Sequence, residues 1–145
     1  MRILMVLLFI VFPDEGSAQI LPGMEHDHIL SYMNKNWGEF AFRKPPNADE
    51  LNFLKFEHVS GDKTLIVFMS ENDICLFTRL IVDIDYLQEL IADYDSGFEP
   101  LGENQWIAKE RGEKFKVRID ESEWMFTVTV REYSNIKNNQ NPAIR

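Results

Sequence analysis

Cysteine is nearly absent. Cys75 is the single one in 145 residues, so no internal disulfide can form and stability has to come from packing. Long apolar runs are missing too: the longest, Ile3 to Phe12, has ten residues, against about 20 for a helix that crosses a membrane. Basic charge is scarce. Fifteen Lys and Arg stand against 24 Asp and Glu, a formal net charge of −9. That balance argues against a general affinity for nucleic acid, which comes from cations neutralising phosphates, and against an anionic membrane surface. No glycine-rich phosphate loop, Gly-x-Ser-x-Gly elbow or His-Glu-x-x-His pair occurs.

What is present begins with aromatics. Eleven Phe, three Trp and four Tyr supply a core for one domain of ordinary size. The first 18 residues have the layout of a secretory signal peptide. Arg2 is followed by the apolar run, then by Pro13 and small residues, with Gly16 and Ala18 at −3 and −1 to a cut before Gln19. No cysteine stands there to accept a lipid. The chain is therefore expected to be exported to the periplasm or beyond, without a stable membrane anchor. The mature protein would lose one basic and two acidic residues, leaving 14 against 22 and a net charge of −8.

Residues 19–133 read as a single α+β domain, and 134–145, polar and Asn-rich, as a disordered tail. The stretch HDHILSYMNKNW has helical spacing, with Asp27 placed to cap it. Pro45 and Pro46 rule out regular structure before LNFLKFEHV, TLIVFM and ICLFTRLIV, three strand-like runs. A helix follows in IDYLQELIADY, with Ile84, Leu87, Ile91 and Tyr94 on one face and Gly97 as a left-handed end. NQWIAKE, EKFKVRI and WMFTVTVRE are three further strands. The order αβββαβββ implies a single antiparallel sheet of about six strands with two helices on one face, since the connectors are too short for parallel crossovers. Trp124, Phe126, Val128 and Val130 should face inward, and Lys114, Lys116, Arg118 and Arg131 outward. TLIVFM and ICLFTRLIV are apolar on both faces, which predicts a central or doubly covered position. The succession of LKF, TLIVFM, ICLFTRL and EWMFTVTV, with Cys75, Trp106 and Trp124 as anchors, resembles a group of uncharacterised small exported bacterial α+β proteins. The resemblance implies the fold class and export, and no activity.

Candidate chemistry is sparse. DYDSGFEPLGEN (93–104) looks like a calcium loop, yet its glycine falls at position 5 and Asn104 stands where the bidentate Glu should be. It reads as a helix end. His26 and His28, two apart, do not match a zinc spacing, and His58 lies far off in sequence. Cys75, between Ile74 and Leu76, reads as an inert buried thiol. No metal, cofactor or catalytic set is expected. The remaining signal is charge: Lys109, Arg111, Lys114, Lys116 and Arg118 fall within ten residues of an acidic chain. Either they solvate an outer sheet face, or Lys114, Lys116, Arg118 and Arg131 dock an acidic protein. The function expected is that of a non-catalytic binding or accessory protein acting through a sheet face. The alternatives are a hydrolytic or metal-dependent enzyme and a binder of small hydrophobic ligands.

Overall fold

The structure is a computed structural model that describes residues 20–46 and 52–134. The expected signal peptide (1–18) and the tail beyond Ser134 lie outside the described residues. Helix α1 (His26–Asn36) precedes strands β1 (Phe40–Arg43), β2 (Phe53–His58), β3 (Lys63–Met69) and β4 (Cys75–Asp83). A 3-10 turn (Ile84–Tyr86) leads into α2 (Leu87–Gly97), followed by β5 (Glu99–Gly102), β6 (Gln105–Glu110), β7 (Glu113–Glu121) and β8 (Met125–Glu132). All eight strands form one antiparallel sheet in the order β1-β2-β3-β4-β8-β7-β6-β5.

This corrects the expected six strands and the order αβββαβββ. Each helix heads a run of four strands, and the two runs meet where β4 pairs with β8. The strand order is symmetric about that seam: β1 and β5 are the two edges. Both are only four residues long. All of β5 is exposed and it contains Pro100, tolerable at an edge because the missing N–H faces no ladder partner. A short edge strand with a proline also discourages pairing with another chain.

Register aligns one face of the sheet. Leu65, Leu80, Val128 and Ile119 sit opposite one another across β3, β4, β8 and β7, and all but the partly buried Leu80 are fully buried. Both helices cover this face. Ile29 and Met33, one turn apart on α1, pack with Phe56, Leu65 and Val67; Leu87 and Tyr94 of α2 pack with Trp106, Val117 and Phe126. Leu80 touches both clusters and joins them into one layer. Truncating a side chain such as Phe126 to Ala here costs about 3–5 kcal/mol, from lost transfer energy and the cavity left behind.

Local details differ from the sequence pattern in three places. Glu25, not Asp27, is the N-cap of α1, and its side chain makes no capping bond. Gly97 is the last residue of α2 and is not left-handed; the helix stops because Phe98 turns extended (φ −120°, ψ 160°). Trp124 is 73% exposed, since β8 begins only at Met125. Before α1, the segment from Ile20 to Met24 is built into the fold, with Leu21 fully buried. Gly23 N–H donates to the Cys75 carbonyl and Cys75 N–H to that of Met24, both at 2.8 Å.

Candidate functional site

Strand alternation sends the other half of the side chains to the opposite face, which no helix covers among the described residues. Two adjacent zones form there. The first is aromatic: Phe53, Phe68 and Phe77 stand in register on β2, β3 and β4. Phe68 and Phe77 stack with centroids 4.3 Å apart and planes at 15°. Ile66 and Ile81 flank them and are half-buried. The two apolar faces of TLIVFM and ICLFTRLIV are thus explained by a central position with one face under helices and the other carrying this shelf.

The second zone is cationic. Lys116 and Arg118 on β7 lie opposite Arg131 and Thr129 on β8. These four line a hollow of about 60 Å³. Thr129 is only 5% exposed, because the long stems around it shield it from water. Across β4, Arg79 is opposite Thr129 and Phe77 is opposite Arg131. The guanidinium of Arg79 lies 5.7 Å from the ring centres of both Phe68 and Phe77, and that of Arg131 is 5.7 Å from Phe77. The cations therefore border the aromatic shelf directly. Of the four residues singled out in the sequence, Lys116, Arg118 and Arg131 meet at one hollow. Lys114 shares their face but is paired with Lys109, nearer the strand end.

Of the four cations Arg79, Lys116, Arg118 and Arg131, only Arg118 is compensated among the described residues. Arg118 pairs with Asp120 (2.8 and 2.9 Å). Among the described residues, Arg79, Lys116 and Arg131 have no carboxylate within ion-pair distance. Like charges directly opposite on antiparallel strands destabilise a sheet. The far side of the same face offers a contrast. Arg43 and Lys55 are also directly opposed, but Glu57 reaches both, at 3.3 and 2.7 Å. Lys55, with help from Arg43, holds the Glu57 carboxyl below its usual pKa. One like-charge pair is neutralised within the chain; the other is left bare.

A second polar cluster sits at the turn between β2 and β3. His58 Nε2 meets Glu39 Oε2 at 2.9 Å, and His58 Nδ1 meets the Ser60 hydroxyl. A Ser-His-Glu set of this kind is the arrangement a hydrolase would use. Its surroundings do not support that chemistry. Ser60 N–H bonds to His58 Nδ1 (3.2 Å) and Gly61 N–H to the His58 carbonyl (2.9 Å), so both nearby amides are spent and none is free to hold an oxyanion. The Ser60 hydroxyl donates to Asp62 rather than to a base. Ser60, and after it Tyr86, hold the Asp62 carboxyl below its ordinary value. The cluster fastens a turn.

The other sequence candidates lie away from this face. Cys75 is 2% exposed, and burial pushes its thiol up to about 12. The exposed His26 ring meets its neighbour Asp27 at 2.9 Å, and the His26 backbone N–H donates to the Asp73 carbonyl at 3.0 Å. Among the described residues no three His, Cys, Asp or Glu side chains gather as metal ligands. Sequence reasoning missed Phe53, Phe68, Phe77, Arg79 and Thr129. The signal that could have found them is the apolar second face of β3 and β4 lying beside β8. Comparison with family models, curated proteins and solved structures finds no match to this chain.

Proposed function

We propose that the protein is a non-catalytic binding module that docks an acidic protein partner on its helix-free sheet face. The observation that carries this reading is the pair Lys116 and Arg131, directly opposed and without a carboxylate among the described residues, on a chain of net charge −9. A fold gains nothing by leaving such a pair unpaired, and local rules are most often broken where a surface has another task. A partner that brings carboxylates removes the repulsion and gains an aromatic shelf to bury, the combination found at the centre of protein interfaces. The hollow on this face, about 60 Å³, is far below the roughly 300–1,000 Å³ of a substrate pocket, so the face suits contact with a side chain of a partner better than enclosure of a whole substrate. Export, expected from residues 1–18, would place this partner in the periplasm or outside the cell.

The test compares proteins retained from the exported fraction by the parent and by a Lys116→Glu/Arg118→Glu/Arg131→Glu variant. The reading expects an acidic protein held by the parent, lost from the variant and released by salt, because steering charges set association. The same protein retained equally by both forms, at low and high salt, would sink it.

A further inference from the structure

The hollow over Thr129 has a chemistry of its own. Three cationic side chains stand around one hydroxyl and enclose about 60 Å³. That is room enough for a small polar group such as a carboxylate. We infer that it is an oxyanion seat, filled by a single Asp or Glu carboxylate from a protein segment laid across the sheet. This rests on the docking reading above and states which group anchors the partner.

The donors suit a carboxylate. Lys116 and Arg131 are free to make charge-assisted hydrogen bonds, and the Thr129 hydroxyl has no hydrogen-bond partner among the described residues. Asp120, held on Arg118 at 2.8 Å, places a fixed negative charge at the rim. It compensates Arg118 and leaves Lys116 and Arg131 as the two cations an incoming carboxylate would meet.

The aromatic shelf selects the neighbour of that group. Strands lie about 4.8 Å apart, so Phe77 is about one strand spacing from Arg131 and two from Lys116. In an extended segment, side chains two residues apart share a face at about 6.8 Å. A segment crossing the strands with its carboxylate in the hollow therefore brings the next side chain on that face over Phe77, beside Phe68. The occupant is an acidic residue two positions from an aromatic or aliphatic one. Arg79, poised over both rings, closes the side of the shelf.

Backbone amide spectra of the isotope-labelled protein test this with three probes: the peptide acetyl-Phe-Thr-Glu-amide, its Gln counterpart, and inorganic phosphate. The Glu peptide should give saturable shifts at Phe77, Lys116, Arg118, Thr129 and Arg131. Binding of the Gln peptide should be roughly tenfold weaker, the loss expected for a charge-assisted contact. Thr129→Val should weaken the Glu peptide several-fold and leave the rest of the spectrum in place. Equal binding of the two peptides, or no saturable shift, overturns the seat. Phosphate binding more tightly at the same amides overturns the carboxylate assignment. If the peptide fails while charge reversal still releases the partner, only the seat is wrong; a partner indifferent to reversal ends the docking reading itself.

Discussion

The indole N–H of Trp106 donates to the Asp95 carboxylate at 2.8 Å, tying the last turn of α2 to β6. Tyr94 packs edge-on against Trp106 and tilted against Phe98, with 5.3 Å between centroids in each case. The acids of DYDSGFEPLGEN thus include one engaged by a buried ring. Trp106 is 2% exposed, so its N–H has little recourse to water.

Asp95→Ala should therefore destabilise the protein by about 1–3 kcal/mol, the cost of a buried donor left without a partner. Asp95→Asn keeps an acceptor oxygen and should cost less. Urea unfolding followed by tryptophan fluorescence reads both. The loss should be the same with calcium or chelator present; a calcium-dependent difference would revive the metal-loop reading of this stretch.

Cys75 sets an alkaline limit. Burial raises its folded pKa from 9.0 to about 12, so between these values the unfolded chain releases a proton that the folded chain keeps. Stability is fully present below about pH 9 and falls as pH rises, by at most about 1.4 kcal/mol per unit. Tyr94, whose phenol burial also pushes up, adds to the slope above pH 10. Urea midpoints at pH 8, 9.5 and 10.5 should fall steadily, and Cys75→Ala should flatten the first part of the decline. Thiol labelling should be slow in the native protein and fast in urea.

Legibility in the sequence followed pattern length. Phe115, Val117 and Ile119, and Phe126, Val128 and Val130, alternate over enough residues for their inward face to be read directly, and the outward Lys116, Arg118 and Arg131 came with them. FAFR and EPLG are too short to show a period, and the prolines beside and within them suggest loop; only pairing to β2 and β6 makes them strands. Trp124 extends the apolar alternation by one step, but the turn begins there and local pattern cannot see it. The shelf was hidden for another reason. Phe68 and Phe77 meet because β3 and β4 pair, and Arg79 reaches Thr129 only because β4 closes onto β8, a strand about 50 residues later.

Arg111 reaches ninety residues back along the chain. Its Nη1 and Nη2 donate to the carbonyls of Ile20 (2.7 Å) and Pro22 (2.9 Å), while Leu21 between them is fully buried. The planar fork serves two carbonyls at once, which a lysine ammonium on a flexible stem cannot do as well. Arg111→Lys should cost about 1–3 kcal/mol, in the range of charged hydrogen bonds. Limited proteolysis should release the segment around residue 20 earlier in that variant. Unchanged stability and cleavage would show the clamp to be incidental.

The bare cation pair makes the most discriminating prediction, because function and stability should move in opposite directions. Lys116 faces Arg131 directly, with Arg79 on the next strand and, among the described residues, no carboxylate to separate the charges. Lys116→Glu turns that repulsive pair into an attractive one, and opposite charges across antiparallel strands are worth roughly 0.2–1 kcal/mol. The single variant should therefore unfold at a higher urea concentration than the parent. Adding Arg131→Glu restores like charges and should cancel the gain, a coupling that a double-mutant cycle isolates from general surface effects. Raising salt should narrow the gap between parent and single variant, since screening weakens exposed charge pairs. The same Lys116→Glu change places a carboxylate where the partner's should sit, so docking is lost as the fold gains. A variant that is both less stable and fully competent to bind would show that Lys116 serves the sheet and not a partner.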